Sequence, residues 1–227
     1  MKLLTTNNLK TMKGEAKGYL TGILHLAPSD LSGYQVCPMA KKAGCEAPCL
    51  NTAGRGAFSN VQKARIARTR MYFEERDLFL ALLHKEISNL DKLAQKKGMK
   101  VAIRLNGTSD LNWKATIKAF PKIQFYDYTK MSSFTFDKPK NQHITISAGK
   151  VEFQHTSHLR IKGLISAGHN VAVVFREKYT KKTWNGIKVI DGDSHDLRFL
   201  DPKNVIVALT AKGKAKKDYS GFVQEVL

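Results

Sequence analysis

A chain of 227 residues that is 42% hydrophobic and 25% charged has the composition of one well-cored globular domain, without the apolar poverty of disorder or the long apolar run of a membrane span. The apolar run of its opening stretch, MKLLTTNNLKTMKGEAKGYL, is much shorter than a secretory leader needs, so the chain is expected in a reducing cytoplasm that keeps thiols available as ligands. A formal charge of +19 and an isoelectric point near 9.9 attract polyanions and anionic small molecules, yet the 38 Lys and Arg are dispersed, with one concentration at AKGKAKK (211–217) and no zinc-finger or aromatic-rich RNA-binding motif.

Residues 1–18 read as an irregular polar lead-in to a single domain over 1–227. GYLTGILHL predicts a strand over 19–26, stopped by Pro28. A cysteine loop follows, and then the strongest helical segment, 59–98. There Ser59 and Gln62 predict a capping box, Val61, Ala64, Ala67, Met71, Leu78, Leu82 and Leu93 recur at helical spacing, and Gly98 is a natural stop. Beyond it β-branched and aromatic runs predict strands at 100–105, 123–128, 143–147, 170–175, 187–191 and 204–210, with helices at 112–119 and 156–168. This alternation predicts an α/β fold with a parallel sheet. Seven strands fall short of a closed eight-strand barrel, so the expected architecture is a partial, open TIM-like barrel with the cysteine loop after its first strand.

All three cysteines, Cys37, Cys45 and Cys49, fall in VCPMAKKAGCEAPCLNTAGRG with the spacing C-x7-C-x3-C. An odd number argues against a disulfide framework. A structural zinc site needs a fourth ligand, for which His25 just upstream is the nearest histidine. An iron–sulfur cluster held by three thiolates leaves one iron without a cysteine. Pro38 and Pro48 stiffen the turns, and Gly44, Gly54 and Gly56 are expected to let backbone N–H groups approach the cluster sulfurs.

In parallel α/β folds sites gather where strands end and the following loops begin. That rule predicts a shared address for Asn106, Thr108, Ser109 and Asp110 of NGTSD, for Thr129 and Lys130, for Ser147, for Arg176, for Asp191, Asp193, His195 and Asp196 of DGDSHD, and for Thr210 and Lys212. His195, Asp193 and Asp191 are the catalytic candidates, as proton carriers. Asn106, Ser109, Asp110, Lys130, Arg176 and Lys212 are the substrate-binding candidates. His155 and His158 read as a surface pair.

A cysteine loop after the first strand of a partial barrel resembles the radical S-adenosylmethionine superfamily, in which three cysteines hold a 4Fe-4S cluster and the open iron chelates the methionine amino and carboxylate groups. The spacing here is wider, Pro48 precedes the last cysteine where that superfamily normally has an aromatic residue, and NGTSD stands where it has a Gly-Gly-Glu-like stretch. Over nearly its whole length the chain resembles a phage-encoded family, the gene product eighty-eight type. The resemblance is carried by LAPSDLSGYQVCPMA with the following GC and CLNTAGRG, by RLNGTSDLNW with FYDYTK, and by KVIDGDSHDLRFLDPK with IVALTAKGKAKKD. It implies a phage gene acting in the cytoplasm of an infected bacterium, with a three-cysteine 4Fe-4S-type cluster on a radical-S-adenosylmethionine-like scaffold.

Three functions are expected from these readings. First is an enzyme whose open iron acts as a Lewis acid in hydrolysis of an ester-like or other carbonyl small molecule, which the +19 charge allows to be anionic. Second is radical chemistry with S-adenosylmethionine as cofactor. Third is a basic nucleic-acid or host-protein binding module with a structural metal site. None of the three requires a membrane.

Overall fold

The computed structural model describes residues 1–153 and 157–226. The expected His155 and His158 pair lies outside the described residues. In chain order the elements are β1 (Leu4–Thr5), α1 (Leu9–Glu15), β2 (Tyr19–Leu24), α2 (Ser59–Glu74), α3 (Arg76–Lys96), β3 (Lys100–Arg104), α4 (Lys114–Lys118), β4 (Gln124–Thr129), β5 (Gln142–Ser147), α5 (Ser157–Ser166), β6 (Val171–Phe175), β7 (Thr183–Trp184), β8 (Ile187–Asp191) and β9 (Ile206–Thr210).

The strands form one open sheet in the order β1-β2-β3-β4-β5-β6-β9-β8-β7. Neighbours from β2 through β9 to β8 run parallel, while two-residue strands pair antiparallel at both margins, β1 on β2 and β7 on β8. Such short edges offer little backbone for a second sheet to join. All seven predicted strands form, in a mixed α/β fold whose sheet is mostly parallel.

Two sequence expectations are corrected. Residues 1–18 are not irregular: Asn8 and Thr11 cap α1 reciprocally, the Thr11 N–H donating to Asn8 Oδ1 (3.0 Å) and the Asn8 N–H to Thr11 Oγ1 (2.8 Å). Ahead of them the Leu3 and Leu4 N–H groups donate to the Glu86 carboxylate (2.8 and 2.7 Å), which holds β1 beside β2. The long helix is also two helices, α2 and α3, broken at Glu75 (φ −130°, ψ 53°). The Ser59 capping box does not form, because Phe58 is the N-cap residue and the Gln62 amide donates instead to the Asn51 and Gly56 carbonyls.

The break resets the helical phase. The buried stripe of α3 is Phe79, Leu83, Ile87, Leu90 and Ala94, and Leu78 and Leu93 face solvent. That stripe packs on Leu20, Leu24, Val101, Ile103, Leu105 and Phe125 of β2, β3 and β4. Ile161 and Ile165 of α5 similarly cover Val171, Val173, Phe175, Ile206 and Ala208. Because strand side chains alternate, residues between these face the other way. On that second face Ala102, Tyr126 and Leu197 form a small core with Tyr19 and Phe199, so the segment after β8 covers part of it. The rest is open and holds the site.

Candidate functional site

A cavity of about 550 Å³ lies where the parallel strands end, a volume typical of chambers for small organic ligands. One wall is the cysteine loop, with Cys37, Met39, Ala40, Cys45, Pro48, Cys49 and Leu50. The rest comes from strand ends and following loops: Arg104 to Asp110, Tyr128 to Lys130, Ser147, Val174, Gly192 to Asp196, and Leu209 to Phe222. The parallel sheet thus brings together Asn106, Thr108, Ser109, Asp110, Thr129, Lys130, Ser147, Asp193, His195, Asp196, Thr210 and Lys212, as its polarity dictates.

Two expected site residues are not in the cavity lining. Arg176 clamps the C-terminal segment: its guanidinium donates to Glu225 (2.5 Å) and to the Lys216 and Asp218 carbonyls (2.9 and 2.7 Å), and it lies 4.3 Å from the Tyr219 ring centre. Asp191 faces Lys178 at 3.4 Å, because it sits on the last residue of β8 one step before the chain turns inward.

The three thiols are half-buried, with no disulfide between them. Burial pushes the Cys37 thiol up to about 12 and raises Cys45 and Cys49 as well, and the charges of the three oppose one another. The thiols donate weakly, Cys37 to the Thr108 carbonyl (3.6 Å) and Cys45 to that of Ala40 (3.7 Å). One backbone donor reaches a sulfur, the Asn51 N–H to Cys49 Sγ (3.5 Å). It is not supplied by Gly44, Gly54 or Gly56, whose N–H groups bond within the loop or, for Gly54, have no sulfur partner among the described bonds. Lys130 lies near Cys45, and Arg65 near Cys49, each opposing the upward push on that thiol. Among the described residues no three His, Cys, Asp or Glu side chains make a group able to hold a metal ion.

The NGTSD loop is held by its own side chains. Asn106 Oδ1 accepts from the Ser109 hydroxyl (2.9 Å), the Leu111 N–H (3.0 Å) and Trp113 Nε1 (3.1 Å), so Asn106 staples the loop. Gly107 is there for closeness: a Cβ at that position would stand 2.5 Å from the Leu24 carbonyl oxygen. Asp110 accepts from the Thr129 hydroxyl (2.7 Å) and the Lys130 N–H (2.8 Å), and burial raises its pKa despite these bonds. Lys130 Nζ donates to the Ser147 and Ala148 carbonyls (3.1 and 3.0 Å) and meets the Ser147 hydroxyl at 2.9 Å.

The proton-carrier candidates are engaged as well. Asp193 accepts from Lys212 and from the Thr210 N–H (2.9 Å); burial works against its charge, but these bonds carry its pKa below the usual range. The Arg198 guanidinium reaches His195 Nδ1 at 3.1 Å and can only donate, so the proton of the neutral ring sits on Nε2, which faces Asp201 at 3.8 Å. Burial, then the Arg198 charge, lowers the pKa of this histidine.

The family model described as Gene product 88 matches residues 1–225. The chain belongs to the Gene product 88 family. This is a phage gene-product family, and the cysteine loop, NGTSD and DGDSHD all lie within the matched region. No curated protein and no solved structure matches the chain. No described helix of this Gene product 88 family member is long and apolar enough to cross a membrane.

Sequence reading missed Arg104 and Tyr128, which line the cavity from within β3 and β4. Arg104 is 6% exposed, its Nη1 donating to both Asp196 carboxylate oxygens (3.3 and 3.0 Å). The available signal was the charge itself, an arginine inside an otherwise apolar strand, KVAIR.

Proposed function

We propose that this protein is an iron–sulfur-cluster enzyme of phage origin acting in an infected bacterial cytoplasm, with Cys37, Cys45 and Cys49 as ligands of a 4Fe-4S-type cluster. The observation that carries this reading is that all three cysteines of the chain line one wall of a cavity at the outlet of a parallel sheet. The residues fit such a group in two respects. Thiols raised by burial ionise when a cation sits against them, and coordination of iron supplies that cation. A cluster also spreads its thiolates over different irons, so the three need not converge on a point as a single ion would require.

When bound, the group supplies either an electron or a Lewis-acidic iron lacking a cysteine. Reductive chemistry on S-adenosylmethionine is favoured over hydrolysis of an ester-like carbonyl. Hydrolysis asks the cavity for a free proton carrier, and His195, Asp193 and Asp110 are all committed to neighbours. The order β2-β3-β4-β5-β6-β9, six parallel neighbours with the cysteine loop after the first, supports a partial-barrel reading of the sheet. This chain's own residues shape the chamber: Lys130 and Asp110 fix the strand ends beside the thiols, Asn106 fixes the loop under Cys37, and Lys212 with Asp193 forms part of the lining.

The test is anaerobic purification with a visible spectrum and iron and sulfide analysis of the native chain and of Cys45→Ala. A brown protein with roughly four irons that bleaches in the variant is expected. A colourless native protein overturns the reading. Incubation with dithionite and S-adenosylmethionine then separates the two chemistries: cleavage to 5′-deoxyadenosine and methionine is expected, and ester hydrolysis without it reverses their order.

A further inference from the structure

The cavity has a polar region on the strand face, formed by Arg104, Tyr128 and Asp196, that the cluster reading does not use. The Tyr128 hydroxyl is buried with no hydrogen-bond partner, and so is Arg104 Nε, whose nearest carboxylate oxygen, on Asp127, is 4.0 Å away and beyond bonding range. The guanidinium lies 4.6 Å from the Tyr128 ring centre, which fixes both groups against each other. A buried donor left unmade is costly, so these two groups are satisfied when something entering the cavity brings an acceptor.

The charge of that acceptor follows from the surrounding pairs. Arg104 is neutralised by Asp196, and Lys212 by Asp193. Lys130 is taken up by carbonyls and Ser147, and Lys13 donates to the Asp193 carbonyl. An incoming carboxylate or phosphate would meet Asp196 beside Arg104 and gain no unshared cation. A carbonyl oxygen accepts from Tyr128 without that repulsion, and Val174, Leu209 and Phe222 line apolar surface for the remainder of the molecule.

We propose that this region is a subsite for an uncharged carbonyl group of the substrate, with the Tyr128 hydroxyl donating to it and the Arg104 guanidinium beside it. The inference rests on the cavity being the substrate chamber and deepens that reading by naming what the chamber holds. It sets aside the expectation of an anionic substrate at this end.

The test uses benzamide and benzoate, which share a ring and differ in charge, as probes by ligand-observed NMR on the protein as purified. Benzamide is expected to bind more tightly, and Tyr128→Phe to weaken it by roughly tenfold while leaving the unfolding midpoint close to native. Equal or tighter binding of benzoate, unchanged benzamide binding in Tyr128→Phe, or no binding of either overturns the subsite. Iron content is measured on the same samples, so failure of the cluster reading appears as colourless protein whatever the amide result.

Discussion

Asp127 lies behind the cavity, 2% exposed, with its Oδ1 accepting the Asn106 N–H (2.7 Å) and its Oδ2 without a partner. Burial pushes its carboxyl up to about 7, although Arg104 and the Asn106 N–H pull the other way. The folded state therefore keeps a proton that the unfolded chain releases near its ordinary value of 3.8. Its contribution to stability is fully present below that value, falls as pH rises toward about 7, and changes little beyond. The slope contributed is up to about 1.4 kcal/mol per pH unit. Asp201, raised by burial to about 6, acts with the same sign. Asp127→Asn, which mimics the protonated acid, is expected to flatten part of this decline and leave the Asp201 part. Urea midpoints of both proteins measured between about pH 4 and 8 check it; parallel curves would show that Asp127 is ionised in the folded protein throughout.

At the scale of elements, strands were legible because β-branched runs between turns have few other ways to bury themselves. Helix phase was not, because Glu75 is an ordinary helix-forming residue and nothing in its identity marks a break. The consequence is measurable. Leu83→Ala, on the buried stripe of α3, should cost about 2–5 kcal/mol, while Leu78→Ala, 50% exposed, should stay within about 0.5 kcal/mol in urea unfolding. Equal losses would restore the continuous-helix phase. The β7–β8 hairpin did carry a signal: Asn185 and Gly186 both take positive φ, as a type I′ turn requires, but a two-residue strand is too short to show alternation. The site divides the same way. Its loop residues were legible because parallel strands end on one edge, whereas Arg104 and Tyr128 were hidden, since alternation separates two faces without saying which one is hollow. Nor does spacing reveal that Asn106, Asp193 and His195 are committed to neighbours, because those partners come from side chains and backbone placed by the fold.

For the whole molecule the question is where the +19 charge acts. Four of the 38 Lys and Arg line the cavity, Lys13, Arg104, Lys130 and Lys212, and each is engaged by the chain's own acceptors. The basic run 211–217 is not a tail: its 3-10 turn, Gly213–Lys217, packs on the cysteine loop, where the Lys214 N–H donates to Thr52 Oγ1 (3.2 Å) and Ala215 is buried, while Lys214, Lys216 and Lys217 point outward. The charge is therefore an outer-surface property, acting at a distance the Debye length limits to about 10 Å at 0.1 M salt. Any polyanion it attracts should be held from outside, without the cavity. A short DNA duplex followed by fluorescence anisotropy is expected to bind with log affinity falling linearly in log salt, and equally well to the native chain and to Cys45→Ala. Loss of that binding in Cys45→Ala would mean that the cysteine loop itself forms the nucleic-acid surface, and salt-independent binding would mean that phosphates are not what the protein meets. The first of these outcomes would turn the metal site into a structural support for recognition and leave the cavity without a catalytic purpose.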